Sequence, residues 1–250
     1  MNLPTFIIAG APRAGTTYLY SMLDRHPDVY MAKPRSPEPK FFLVDDEYAK
    51  GLEYYSQKYF LPVLGRTAIG EKSTNYLESP LAAARLRQAL PGVKLIFALR
   101  NPIDRAFSNY LWSRKNGLET LSFEEAVETE AAREAHYAPA HRYSRPFSYV
   151  SRGLYADLLQ PYFDLFPREQ LKPVFLEEID ARPKAILDDL CRYLGVTALP
   201  DDAGLQSRVN SAREGNEHMS DAMRERLREI YREPNRRLAQ RLGRDLSHWT

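Results

Sequence analysis

The chain has a single cysteine in 250 residues. That excludes an internal disulfide and any multi-cysteine metal site. Cys191 lies in ILDDLCRYLG, on an apolar helical face, and reads as core. Excess charge is also lacking. Thirty-five Lys and Arg face 33 Asp and Glu, a formal net charge of +2. Bulk charge therefore gives no argument for a nucleic-acid or membrane partner. A small polyanion needs only a local basic site, which this balance allows. No apolar run approaches the roughly 18 residues of a spanning helix. The opening MNLPTFIIAGAP has neither a basic n-region nor a long apolar core. The expectation is a soluble cytoplasmic protein. The five histidines show no metal-ligand spacing. Internal repeats and low-complexity tracts are absent.

What is present is an ordinary globular composition, 44% hydrophobic and 27% charged. The length suits one large domain, taken here as residues 1–250. Residues 5–9 (TFIIA) form a short apolar, β-branched run and predict a buried strand. Residues 16–25 predict a helix. Residues 68–72 (AIGEK) predict a second strand. Ser79 and Pro80 then predict a helix start, with a stop at Pro91-Gly92. Residues 93–99 (VKLIFAL) are nearly continuously apolar, as a central parallel strand should be. Asn101 and Pro102 cap another helix, and Ser122 with Glu125 form a capping box. Residues 136–148 (HYAPAHRYSRPFS) read as an irregular loop. Residues 151–166 predict a helix, 171–176 (LKPVFL) a strand, and 183–194 a helix closed by Gly195. Residues 200–215 read as a loop. A last helix follows, with Pro234 expected to kink or break it. Strands alternating with helices predict an α/β fold, three-layered and P-loop-like, with a central parallel sheet flanked by helices.

Residues 10–17, GAPRAGTT, are almost a nucleotide-binding P-loop. Gly10, Gly15 and Thr17 stand in place, but Thr16 occupies the lysine position. A positive charge stands inside the loop instead, at Arg13. Backbone amides in such a loop, with a helix N-terminus behind them, form a phosphate pocket. Without the lysine a nucleoside triphosphate loses its main charge partner. A ligand with a single 5′-phosphate group does not need that reach. The alternative is a glycine turn with a surface arginine; the strand–loop–helix context favours the phosphate loop. Residues 99–110, LRNPIDRAFSNY, offer a second feature. Arg100 ends a buried strand, where α/β proteins bind ligands, and Ser108 lies eight residues on. An arginine fork and a serine hydroxyl suit a separate phosphate. Alone, the pair is equally an ion-paired arginine and an ordinary helical serine.

Together these two stretches resemble the signature elements of the sulfotransferases that use 3′-phosphoadenosine 5′-phosphosulfate (PAPS). The first resembles that family's 5′-phosphosulfate loop, the second its 3′-phosphate site. Residues 23–29 (LDRHPDV), 38–42 (EPKFF) and 70–76 (GEKSTNY) resemble the heparan-sulfate-type branch and its bacterial relatives. So do residues 153–167 and the ending RLREIYREPNRRLAQRLGRDLSHW. One departure matters. Much of the family carries lysine where this chain has Arg13. Arginine keeps the charge but does not donate a proton, so Arg13 is expected to stabilise charge rather than act as an acid.

The resemblance implies a role for each motif. Glu71 of GEKSTNY is implied as the general base that takes the acceptor's proton. Partial desolvation would raise its pKa, and a nearby Lys72 or Arg13 would lower it. A structural ion pair with a basic residue is the competing reading. Arg13, Ala14, Gly15, Thr16 and Thr17 are implied to hold the 5′-phosphate, and Arg100 and Ser108 the 3′-phosphate. Lys72, Ser73 and Asn75 are expected to contact the acceptor. Residues 210–217 (NSAREGNE) sit where the family has a loop closing over the nucleotide, with Arg213 and Gly215 as phosphate contacts; an ordinary connecting loop fits equally well. The donor is PAPS, the product 3′-phosphoadenosine 5′-phosphate (PAP), and the scheme requires no metal. The acceptor is a small molecule, a saccharide or a carrier-bound intermediate whose hydroxyl, or alternatively amine, attacks sulfur. Two rivals stand beside this. A P-loop kinase or NTPase predicts lysine at the Thr16 position. A non-catalytic nucleotide-binding protein would tolerate loss of Glu71.

Overall fold

The computed structural model describes residues 1–60, 63, 65–199 and 218–249. In chain order the elements are β1 (Phe6–Gly10), α1 (Thr16–Leu23), β2 (Val29–Met31), α2 (Asp45–Tyr48), α3 (Gly51–Tyr59), β3 (Ala68–Lys72), α4 (Pro80–Ala89), β4 (Lys94–Leu99), α5 (Pro102–Lys115), α6 (Phe123–Glu128), α7 (Glu130–Glu134), α8 (Tyr155–Leu158), α9 (Gln160–Leu165), β5 (Leu171–Phe175), α10 (Leu176–Ala181), α11 (Pro183–Leu194) and α12 (Asp221–Leu242). Contacts divide the chain into two compact units, Met1–Leu99 with Pro161–Val209, and Arg100–Gln160 with Asn210–Thr250.

The first unit holds a five-stranded parallel sheet in the order β2-β3-β1-β4-β5. β1 is buried at every residue and β4 at all but its first, which explains their unbroken apolar text. β1 is central. The chain builds β2 and β3 on one side of it, then crosses to build β4 and β5 on the other. In open α/β sheets ligands bind beyond the carboxyl ends of the strands at such a reversal. β5 tolerates Pro173 because it is an edge strand, so a missing N–H costs no second ladder. The predicted caps form as written. Ser79 accepts from Ala82 N (3.1 Å), and Gly195 closes α11 in a left-handed conformation (φ 80°).

The second unit is helical. The capping box is complete: Glu125 N donates to Ser122 Oγ (3.3 Å) and Ser122 N to Glu125 Oε2 (3.0 Å). Ser122→Ala should cost about 1 kcal/mol of stability, read from chemical denaturation of the whole chain.

Two expectations are corrected. Residues 151–166 are not one helix. A 3₁₀ turn (Ser151–Gly153) precedes α8, and α9 restarts at Gln160–Leu165. Gly153 lies so close to Tyr231 and Pro102 that a Cβ would sit 2.6 Å and 2.8 Å from them, and Pro161 supplies no amide to continue a helix. Of the expected kink or break at Pro234, the break is overturned: α12 runs 22 residues through it. Tyr231, Asn235 and Leu238 are buried on one face of that helix, and ion pairs Glu225–Arg228, Glu229–Arg232 and Glu233–Arg236 line it. One lost backbone bond is outweighed. Finally, residues 29–59, given no element from sequence, contain β2, α2 and α3.

Candidate active site

The loop between β1 and α1 has two left-handed residues, Arg13 (φ 68°) and Gly15 (φ 85°). Gly15 is the N-cap of α1 and offers no side-chain cap. The first amides of a helix lack internal partners, so Thr16, Thr17 and Tyr18 present N–H groups toward the loop. This suits an anion. Packing forces glycine at both ends. A Cβ on Gly15 would lie 2.7 Å from Leu176 Cδ1, and one on Gly10 2.6 Å from Leu77 Cβ. Ala11 N donates to Ala98 O (2.7 Å), tying the loop to the end of β4. Ala14 and Thr16 are buried; Arg13, Gly15 and Thr17 are partly exposed.

Glu71 lies one residue before the end of β3, paired in register with Ile7 of β1. Its side chain is 0% exposed. Oε2 accepts a hydrogen bond from the Tyr55 hydroxyl of α3. Oε1 has no hydrogen-bond partner among the described residues. Burial pushes the carboxyl up to about 7; the hydroxyls of Ser73, Tyr55 and Tyr76 oppose the rise, and the Glu38 carboxylate adds to it. A fully buried carboxylate is expected to behave this way.

Neighbouring strand residues point to opposite faces, so Lys72 leaves the sheet on the side away from Glu71. Lys72 forms an ion pair with Glu38 at only 7% and 15% side-chain exposure. Glu38 also accepts from Thr74 N (2.9 Å) and Thr74 Oγ1. The expected rise from desolvation is the one that dominates at Glu71, while Lys72 pairs with Glu38. The ion-pair reading of Glu71 fails for the same reason as far as Lys72 is concerned. Of the expected acceptor contacts, Ser73 is fully buried and its Oγ accepts from Lys40 N (2.8 Å). Asn75 is buried and reaches Glu78 Oε2 (3.4 Å). These side chains hold the 38–42 segment and the turn after β3.

In the second unit Arg100 is half-buried just before α5, and its carbonyl accepts from the Tyr155 hydroxyl (3.1 Å). Asn101 caps α5 through Ile103 N (3.0 Å). Ser108 is buried on α5, together with Arg105 and Asn109. The irregular segment 136–148 is not loosely held. Glu130 accepts from the amides of Tyr149, Val150 and Ser151 (3.0, 2.6 and 2.8 Å), and Glu134 binds Arg145, Ser148 and Ser151. His136 and His141 line a groove of about 620 Å³ there, with Arg133, Tyr137 and Phe147. Arg213 and Gly215 lie outside the described residues.

A family model described as a sulfotransferase domain matches residues 3–212. The chain belongs to that family. A crystal structure of a sulfotransferase from Alicyclobacillus acidocaldarius is similar to this chain at 32% identity and a TM-score of 0.83, covering 100% of this chain and 99% of that one. Mouse bifunctional heparan sulfate N-deacetylase/N-sulfotransferase 4 is 29% identical over 202 residues, 78% of this chain. The chain spans 23% of that relative's length. A mouse sulfotransferase solved with PAP is 14% identical at a TM-score of 0.61, over 92% of this chain and 83% of that one, a likeness of fold. The expected family and the parallel three-layer fold are thus borne out.

Within this sulfotransferase domain, sequence reasoning missed the groups that enclose Glu71. Tyr55 comes from α3, for which the sequence predicts no element, and Glu38 belongs to EPKFF. The signal was present in the chain. EPKFF and GLEYYSQKY each place aromatic residues beside charged ones in a stretch otherwise without strand or helix pattern.

Proposed function

We propose that this chain transfers a sulfuryl group from PAPS to an acceptor, with Glu71 as general base. The observation that carries this is the Glu71 carboxylate: wholly buried, held at Oε2, with no hydrogen-bond partner at Oε1 among the described residues, and raised toward neutrality. A structural carboxylate would have both oxygens satisfied. A base must instead keep one oxygen for the substrate and hold a pKa near the working pH.

In the reaction the acceptor heteroatom attacks sulfur and its bond to sulfur forms. The bond from sulfur to the 5′-phosphate oxygen breaks, and the acceptor proton passes to Glu71. Arg13 and the loop amides of Ala14, Gly15, Thr16 and Thr17, backed by α1, stabilise charge on the departing phosphate. Arg100 and Ser108 hold the 3′-phosphate. Lys72, Ser73 and Asn75 shape the acceptor wall through the contacts that fix the 38–42 segment. Both compact units serve one sulfotransferase domain; the family match runs through segments of each, which supports this. The similarity to heparan sulfate sulfotransferases supports a saccharide acceptor. A cytoplasmic site, with its PAPS pool, is part of this proposal.

Calorimetric titration without magnesium tests the donor site. Adenosine 3′,5′-bisphosphate should bind at micromolar concentration or tighter, and ATP weakly. Preference for ATP, or binding of either nucleotide only with magnesium, would return GAPRAGTT to the ordinary P-loops.

A further inference from the structure

We infer that Tyr55 is a positioning residue for Glu71: its hydroxyl fixes Oε2 and leaves Oε1 as the atom that takes the acceptor's proton. The inference rests on the reading of Glu71 as base. It adds which oxygen works, and what holds the carboxylate still.

The two carboxylate oxygens are inequivalent in this fold. Oε2 is occupied by the phenol of Tyr55; Oε1 is buried with no hydrogen-bond partner among the described residues. Tyr55 itself has little freedom. Its ring is fully buried and stacks on Phe41 at 4.3 Å between centroids, with an interplanar angle of 16°. Phe42 and Phe60 pack edge-on at 5.4 Å and 5.0 Å, and Tyr59 at 5.7 Å. Phe41 and Phe42 follow the segment that Glu38 and Lys40 clamp to Lys72, Ser73 and Thr74. The strand carrying Glu71 and the ring holding it are thus tied to one another twice, by polar contacts on one side and aromatic packing on the other. Burial and the adjacent Glu71 carboxylate push the Tyr55 phenol well above its usual value. It remains a neutral donor throughout the working range.

The remaining groups facing Glu71 are Tyr76, Ser73 and Glu38. Tyr76 is also buried, and its hydroxyl accepts from Phe42 N (3.2 Å). None of these changes in Tyr55→Phe. That variant keeps the stacked ring and removes one donor from the ionised carboxylate. The carboxylate then becomes harder to form, so its titration moves upward. A hydrogen bond to a charged group is worth roughly one to two pKa units by this route. A tyrosine that is only core filling, its hydroxyl merely satisfied by a convenient acceptor, would also lose a bond. It would not move turnover with pH.

The test uses the full chain with ¹³C-labelled glutamate, and Glu71→Gln to assign the Glu71 carboxyl signal. Tyr55→Phe should raise the carboxyl midpoint by about one unit from the wild-type value. Tyr59→Phe, on the same helix, should leave it unchanged and controls for general loosening. Transfer from PAPS to water, followed as bisphosphate release, needs no identified acceptor. Its acid limb should move up with the carboxyl, so that Tyr55→Phe is about tenfold slower at low pH and recovers at high pH. Bisphosphate affinity should stay as in the wild type. An unchanged carboxyl midpoint overturns the proposal, as does an equal shift in Tyr59→Phe. A carboxyl that shifts while the rate profile does not overturns the reading of Glu71 as base, and with it the part of Tyr55 in the reaction.

Discussion

Replacing Glu71 by glutamine is expected to cut turnover by roughly a hundredfold or more while leaving nucleotide affinity nearly unchanged. The amide has the same shape and still accepts from Tyr55, so the packing of α3 against β3 survives. What is lost is a group able to take a proton. The same substitution has a second consequence of opposite sign. Burial raises the Glu71 carboxyl from 4.5 to about 7, so the folded state binds this proton more tightly than the unfolded chain does. Stability from this group is full below the unfolded value and is lost as pH rises through about 7. At pH 8 the ionised carboxylate therefore costs the fold on the order of 3 kcal/mol. Glutamine removes that cost. Glu71→Gln should melt at a higher temperature than wild type at pH 8 and at about the same temperature near pH 4. Wild-type turnover should rise with pH through about 7, the ionisation of the base. Rates of bisphosphate release and thermal melts at the two pH values check all three. Wild-type turnover retained in the variant would remove Glu71 from the mechanism. Reduced stability at pH 8 would mean the carboxylate is satisfied after all.

The sheet and the phosphate loop were legible because each rests on local rules. Continuous apolar text gave β1 and β4, Pro and Gly punctuation bounded α4 and α11, and the glycine spacing marked the turn into α1. The surroundings of Glu71 rest on no local rule. Tyr55 reaches it across 16 residues and Glu38 clamps Lys72 across 34, a span that holds the two short helices α2 and α3. Position in the sheet decided the rest. Alternation along β3 sends Glu71 and Lys72 to opposite faces, a fact implicit in AIGEK once it is a strand. At Pro234 the penalty is local, whereas the packing of Tyr231, Asn235 and Leu238 that carries α12 through it is tertiary.

Replacing Arg100 by alanine is expected to weaken adenosine 3′,5′-bisphosphate by about thirty- to a hundredfold and adenosine 5′-phosphate hardly at all. The backbone around Arg100 is fixed without its side chain. Tyr155 holds its carbonyl, Asn101 caps α5, and Pro102 starts the helix, so alanine should not move the turn. The change then falls on the guanidinium alone. A charge-assisted hydrogen bond to a phosphate is worth about 2–3 kcal/mol, and 1.4 kcal/mol is tenfold in affinity. The effect must be confined to ligands carrying the 3′-phosphate, because the 5′-phosphate is assigned to the loop of residues 10–17. Arg100→Lys separates charge from geometry. It keeps the cation but loses the planar fork, so it should recover only part of the lost affinity. Ser108→Ala should show the same selectivity at smaller size, since one neutral hydroxyl bond is worth less than a charged one. Paired calorimetric titrations of the two nucleotides on each variant give the selectivity directly. Equal weakening of both nucleotides would show that Arg100 supports the fold or the general field of the site. The specific anchor for the 3′-phosphate would then have to be sought elsewhere on α5 or its neighbours.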